Sequence, residues 1–189
     1  MVNDAIAAME EACRRLGRAI SPQAFLVSVP GQTAVLIIRD EGSTYEPEKY
    51  FTISTSRFGA GQRQDSQQTP LGLHRIAEKF GGDLPSGAIF KGRIATGQLT
   101  SENPHADIAH RILWLDGLEP GHNLGGTVDS YSRYIYIHGV GDESGLGRPA
   151  SQGCVHVGVD DLLPLYDRLP VDSLVWIGEF PLPREAIID

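Results

Sequence analysis

The sequence predicts a mainly β fold with flanking helices, an α+β domain of 189 residues. Its 22 glycines and 12 prolines favour short strands joined by many turns over a helical bundle. A chain of this length buries roughly 70% of its unfolded surface in one core. Residues 1–189 are therefore expected to form a single domain that needs neither a metal nor a disulfide to fold.

The first predicted element is an amphipathic helix over residues 4–18. Its apolar side chains recur at three- and four-residue spacing, the pattern of a helix that packs one stripe onto a core. The stripe consists of Ile6, Met9, Cys13, Leu16 and Ile20. Gly17 is a stop signal near its end. Residues 1–20 are thus expected to pack on the domain, with Cys13 as a core residue.

The remaining elements follow from strand periodicity and turn residues. Strands are predicted near residues 24–29, 33–38, 50–54, 111–115, 133–138 and 173–177, and a second helix over 160–169. Pro30-Gly31 is a strong turn dipeptide between the first two strands. The segment from 54 to about 110 is expected to be irregular, with glycine-rich loops around a site.

Trp114 and four of the six histidines lie outside any motif. Trp114 is expected to be a core residue, which is the usual place of such a large ring. Four histidines have no metal-ligand spacing and are expected on the surface or in loops: His74, His105, His110 and His122.

The residues best suited to take part in a reaction flank one long loop. The alternation through residues 133–138 has the two-residue period of a strand, so Tyr134, Tyr136 and His138 are expected to share one face. His138 is then expected at a strand end, outside the packed interior. Residues 139–153 are rich in Gly, Ser, Asp and Pro, which predicts a loop that folds over a site or stays mobile.

Cys154 follows this loop and is the candidate nucleophile. The glycine before it, Gly153, leaves room for a substrate carbonyl and frees backbone N–H groups to face a developing oxyanion. A cysteine attacks as the thiolate, so it needs a neighbouring imidazolium that lowers its pKa. His138 is the candidate for this role and for moving the proton.

Two other interpretations of the same residues stay open. A lone cysteine is more often a small core residue than a nucleophile. Alternatively, Cys154, His156 and His138 offer three ligands to zinc. Paired-cysteine spacings and a clear fourth ligand are missing from the sequence, so neither a metal nor a cofactor is expected.

The motifs together resemble the catalytic domain of the L,D-transpeptidases, the YkuD-type family. They are His138-Gly139, the run Gly147-Arg-Pro-Ala-Ser-Gln-Gly-Cys-Val-His-Val157, and Thr69-Pro-Leu-Gly72 upstream. The order His-Gly and then Ser-x-Gly-Cys is a specific signature, and the resemblance covers roughly residues 24–178. It implies a YkuD-type β-sandwich.

The resemblance also implies an activity. Such an enzyme attacks the bond between stem residue three and the terminal D-alanine of a peptidoglycan tetrapeptide, and a thioester forms on its cysteine, here Cys154. The carbonyl of Gly139 would orient His138, and amides near Gly153 and Cys154 would form the oxyanion hole. Ser151 would fix the loop by hydrogen bonding.

The surrounding residues complete the expected site and show two departures from the family. The loop set is Ser151, Gln152 and Gly153, and the expected substrate contacts are His156, Tyr136 and Arg148. Gln152 stands where the family usually has His, and His156 where it has Arg. Arginine is permanently charged and histidine only partly so near neutrality. Recognition of a substrate carboxylate is therefore expected to be weaker or pH-dependent. The alternative to an enzyme is an inactive muropeptide-binding module.

The N-terminal residues bear on the compartment and the acceptor. The first twenty residues carry six charged side chains and no apolar signal core, which predicts a cytoplasmic protein, or a periplasmic one if a leader is missing from the chain. A cytoplasmic enzyme would meet soluble muropeptides, with water as acceptor. That is L,D-carboxypeptidase activity in muropeptide recycling; the alternative is wall transpeptidation, forming 3-3 crosslinks or exchanging D-amino acids.

Charge and hydropathy exclude other partner classes. The net charge of −8 argues against nucleic acid, which needs clustered Lys and Arg. No apolar run approaches the roughly 20 residues of a membrane span. With two cysteines and no framework of pairs, a reducing compartment is favoured. The expected partner is a peptidoglycan-derived tetrapeptide.

Overall fold

The computed structural model describes residues 2–40 and 42–182, so the ends of the expected domain 1–189 lie partly outside it. Two α-helices are present in these ranges, α1 (Val2–Arg15) and α2 (Val159–Arg168). Ten strands accompany them: β1 (Gln23–Ser28), β2 (Thr33–Ile38), β3 (Glu46–Ser54), β4 (Gly72–Phe80), β5 (Ala88–Lys91), β6 (Ile94–Gln98), β7 (Ala109–Gly117), β8 (Tyr136–Gly139), β9 (Val155–Val157) and β10 (Leu174–Gly178). The mainly β prediction is confirmed.

The strands form one hydrogen-bonded sheet that closes on itself. Their order is β4-β10-β1-β2-β3-β9-β8-β7-β5-β6, and β4 also pairs with β7. The main core lies inside this closed sheet and is covered at one end by α2. It includes Phe25, Phe51, Leu113, Ile137, Val155 and Leu162.

Helix α1 packs on the outer face of the sheet. Its buried residues are Val2, Ala5, Ile6, Met9, Ala12 and Cys13. The helix lies against β4 and β10, and its apolar side chains share one cluster with outward-facing side chains of the sheet, among them Leu26, Leu73 and Leu174. Both faces of β1 are therefore buried, which explains its continuous apolar run. Cys13, 1% exposed, is a core residue as predicted.

The predicted irregular segment up to residue 110 is wrong, because it contains β4, β5 and β6. The polar residues that obscure β4 are paired across the sheet. Arg75 lies opposite Asp116 of β7, and its guanidinium donates to that carboxylate at 2.9 Å. The short strand β9 was also missed, since its three residues carry too little pattern to predict a strand.

Two of the histidines expected at the surface are buried. His74 is 0% and His110 7% exposed. The Nδ1–H of His74 donates to the Gly72 carbonyl at 3.0 Å, and Nε2 lies 3.0 Å from the Ser130 hydroxyl. Polar partners on both sides allow the neutral ring to be buried. Trp114, 5% exposed, is in the core as predicted.

Neither helix in the described part of the chain combines the length and apolar character needed to cross a membrane.

Candidate active site

Strands β8 and β9 bring the two candidate catalytic residues together. They pair in parallel, with His138 opposite His156 and Ile137 opposite Val155. Cys154 immediately precedes β9, so its side chain lies on the same face as that of His156. Cys154, His138 and His156 line one open groove of about 580 Å³. The loop over residues 140–153 leaves β8 and returns to Cys154.

His138 is buried, 3% exposed, and not outside the packed interior as expected. The cause is lateral packing: its ring contacts Tyr136 with a centroid distance of 6.3 Å and His156 with one of 4.7 Å. Nδ1 lies 2.8 Å from the Gly139 carbonyl oxygen. A carbonyl only accepts, so the proton of the neutral ring is on Nδ1. The lone pair of Nε2 is thereby left available as a base.

The electrostatics define a neutral resting pair. Burial lowers the pKa of His138 to about 4, although the Gly139 carbonyl opposes this. Burial raises the pKa of the Cys154 thiol to about 11, against smaller opposite effects of the Tyr136 amide and the Arg133 charge. Both shifts favour the neutral thiol and the neutral imidazole over the thiolate–imidazolium pair that the sequence led us to expect. Proton transfer from Cys154 to His138 would then accompany attack.

The Cys154 sulfur is held by the backbone at the start of β8. The Tyr136 N–H donates to Sγ at 3.4 Å, and the thiol donates to the Tyr134 carbonyl at 3.5 Å. Tyr134 has φ +58°, uncommon for an aromatic residue. Its ring stacks on Trp114, which in turn stacks on Tyr131 at 3.8 Å. Strand β8 begins only at Tyr136, so Tyr134 lies in the turn before it and does not continue the alternation of the strand.

The turn from Ser151 to Cys154 is closed by one buried hydroxyl. Ser151, 2% exposed, donates through Oγ to the Cys154 carbonyl at 2.6 Å and accepts from the Gly153 N–H at 3.3 Å. The exposed Gln152 lines the groove. The Gly153 amide thus faces Ser151, which leaves the Cys154 amide as the candidate oxyanion donor of this turn.

Substituting Gly153→Ala is expected to reduce both stability and turnover. Gly153 has φ +123°, a conformation that costs an L-residue about 1–3 kcal/mol. A methyl group there would meet the Gln68 carbonyl and Ile135 at 3.4 Å, an ordinary contact distance, so the expected loss comes from the backbone conformation. Urea unfolding should show a loss of that size. A control at Gly97, which has open space around it, should lose less; equal losses would contradict the role of the turn.

The three expected substrate contacts differ in position. His156 lines the groove, but burial and the neighbouring His138 lower its pKa to about 3, so it carries no charge near neutrality. Arg148 lines the groove and donates to the Ser144 carbonyl at 3.2 Å. Tyr136 is 3% exposed and accepts from Arg93 at 3.1 Å. The ring of Tyr136 does not line this groove, and its backbone amide contacts the sulfur.

Three further residues near Cys154 were not predicted from sequence. Arg57 and Asp107 line the groove. Arg133 is partly buried, and its guanidinium binds the Gly61, Gln62 and Gln68 carbonyls at 3.2, 2.8 and 2.6 Å. None of the three belongs to a motif, and the sheet topology alone brings them to the site.

The zinc interpretation finds no support in the geometry. Within residues 2–40 and 42–182, no group of three or more His, Cys, Asp or Glu side chains is placed to hold a metal ion. Cys154 is also only partly buried and lines a groove, unlike a structural core cysteine such as Cys13.

A partly buried thiol and a buried neutral imidazole on one groove define a cysteine–histidine site on a β-sandwich. The YkuD model, described as the L,D-transpeptidase catalytic domain, matches residues 22–177. The chain belongs to this family, as the motifs predicted.

Solved structures support the fold. Bd1075 of Bdellovibrio bacteriovorus is 16% identical with a TM-score of 0.55, over 85% of this chain and 49% of that one. L,D-transpeptidase 3 from Mycobacterium tuberculosis, in complex with a faropenem-derived adduct, is 14% identical with a TM-score of 0.51, over 84% and 60%. The chain thus spans about half to three fifths of these proteins. No curated protein matches it.

Proposed function

We propose that this protein is a cysteine acyl-transfer enzyme that acts on peptidoglycan tetrapeptide stems and cleaves the bond to the terminal D-alanine. One observation carries the proposal: Cys154 and His138 line the same groove, and the Gly139 carbonyl binds His138 Nδ1 at 2.8 Å. The ring therefore presents Nε2 as a base. Membership of the YkuD family supports the choice of substrate.

The first half-reaction forms a thioester. His138 Nε2 takes the thiol proton while the Cys154 sulfur attacks the carbonyl carbon of stem residue three. The developing oxyanion accepts a hydrogen bond from the Cys154 amide. His138, now an imidazolium held by Gly139, gives its proton to the D-alanine nitrogen. The carbon–nitrogen bond breaks, D-alanine leaves, and the tripeptide acyl group stays on sulfur.

We further propose water as the acceptor, which makes the enzyme an L,D-carboxypeptidase. Neutral His138 removes a proton from water, the hydroxide adds to the thioester carbon, and the sulfur leaves and recovers the proton. The partial exposure of Cys154 in an open groove supports access of water. A role in cytoplasmic muropeptide recycling belongs to the same proposal, and two free cysteines agree with a reducing compartment.

The test is to incubate the protein with a disaccharide-tetrapeptide, alone and with an amine acceptor, and to follow products by mass spectrometry. Tripeptide plus free D-alanine without an exchange product is the expected result. An exchange or crosslinked product would replace carboxypeptidase by transpeptidase activity. Binding without any reaction would contradict the enzyme and favour the inactive binding module.

A further inference from the structure

The groove beside Cys154 is lined by charged side chains of both signs, Arg57, Arg148, Asp107 and Asp142. Arg148 and Asp142 are electrostatic neighbours. Hydrogen bonds from Ser144 lower the pKa of Asp142, with smaller contributions from His105 and Arg148. The Arg148 guanidinium also donates twice to the Ser144 carbonyl, at 3.3 and 3.2 Å. The Arg148 guanidinium is therefore already engaged by the loop that carries it.

Arg57 is anchored directly to the turn that carries the nucleophile. Strand β3 pairs with β9 and places Ser54 opposite His156. Ser56 then forms a parallel bridge with Ser151, and the Arg57 N–H donates to the Ser151 carbonyl at 3.1 Å. The main chain of Arg57 is thus fixed beside the turn that ends at Cys154.

The Arg57 side chain is exposed and lies against the ring of Phe58, with its guanidinium carbon 5.1 Å from the ring centroid. In the described part of the chain, no carboxylate forms an ion pair with it. Arg57 therefore brings to the groove a cation that is free to bind an anionic ligand.

The proposed substrate needs such a cation. Its terminal carboxylate carbon is three covalent bonds from the scissile carbonyl carbon, so the carboxylate must lie close to Cys154 during attack. The protein carries a net charge of −8, and its overall field repels an anion. His156, at the position of the family's usual arginine, packs against His138 at 4.7 Å and is uncharged near neutrality.

We propose that Arg57, three residues beyond the end of β3, binds the terminal carboxylate of the substrate. This inference rests on the proposed function. Arginine suits the task because its planar fork donates two parallel hydrogen bonds to a carboxylate.

The test measures binding in a Cys154→Ala background, which does not turn over. Calorimetry with a free-acid tetrapeptide and with its C-terminal amide gives Kd for each. Adding Arg57→Ala is expected to raise Kd for the acid by roughly 10- to 50-fold and for the amide by less than about twofold. Arg57→Lys, which keeps the charge but loses the two-donor fork, should retain only part of the preference for the acid. Arg63→Ala, an exposed arginine outside the groove, should change neither value.

Equal weakening of acid and amide binding by Arg57→Ala would show a merely structural role and overturn the proposal. Unchanged binding of both, or no binding of the acid before Arg57 is changed, would also overturn it. The proposed function is assessed separately, by D-alanine release from the wild-type enzyme. Loss of acid preference without loss of the fold, checked by circular dichroism, supports Arg57 whichever acceptor the thioester uses.

Discussion

Replacing Cys154 by alanine is expected to abolish D-alanine release, with kcat/KM lowered by a factor of about 10⁴ or more. The sulfur is the atom that bonds to the acyl carbon, and no other described cysteine lines the groove. Water attack without a covalent intermediate would have to replace two easier steps by one difficult step. A coupled assay for free D-alanine from a tetrapeptide measures the loss.

Cys13→Ala is the matched control for this substitution. Cys13 lies on the buried face of α1, in the apolar cluster between the helix and the sheet, so its replacement should cost about 1 kcal/mol of stability and leave kcat/KM within about twofold. A thiol reagent should label Cys154 much faster than Cys13, which is 1% exposed. D-Alanine release that survives in Cys154→Ala would sink the proposed mechanism.

Acidification from pH 6.5 to pH 4 is expected to remove several kcal/mol from the free energy of unfolding. Burial lowers the pKa of His74 and His138 to about 4 and of His156 to about 3. In this window the unfolded chain, with histidine pKa values near 6.5, binds protons that the folded protein does not. Stability therefore rises with pH and is lost as the pH falls. Each histidine contributes at most about 1.4 kcal/mol per pH unit.

Urea unfolding between pH 7 and pH 4.5 measures this slope, and His74→Gln isolates one contributor away from the groove. The variant should have a smaller slope, by up to about 1.4 kcal/mol per pH unit. An unchanged slope in His74→Gln, or an NMR titration of His74 near 6.5 in the wild-type protein, would refute the assignment.

Local patterns predicted those elements whose residues face either core or solvent. The apolar stripe of α1, the continuous run of β2 and the Cys154 motif were all readable because each depends on neighbours in sequence. Strand β4 was not, since its charged residues are satisfied by partners such as Asp116 on β7. An ion pair across a sheet leaves no periodic signal in either strand.

In the candidate site, too, the sequence predicted some features, whereas others arise only from the packing of distant strands. The sequence predicted Cys154 and His138, and it predicted the Gly139 carbonyl as the partner of His138 through the family resemblance. It did not predict the neutral resting pair, because the burial that shifts both pKa values comes from the packing of β8 against its neighbours. Arg57 was also missed, since only the bridge between Ser56 and Ser151 brings it to the groove.

The central claim is that Cys154 carries the tripeptide as a thioester, and rapid acid quenching followed by mass spectrometry tests it most directly. Wild-type protein mixed with tetrapeptide should gain the mass of the tripeptide acyl group, without D-alanine, on the peptide that contains Cys154. The adduct should be absent from Cys154→Ala and present in Cys13→Ala. Turnover with no adduct at any quench time, or an adduct that retains D-alanine or maps to Cys13, would contradict the mechanism.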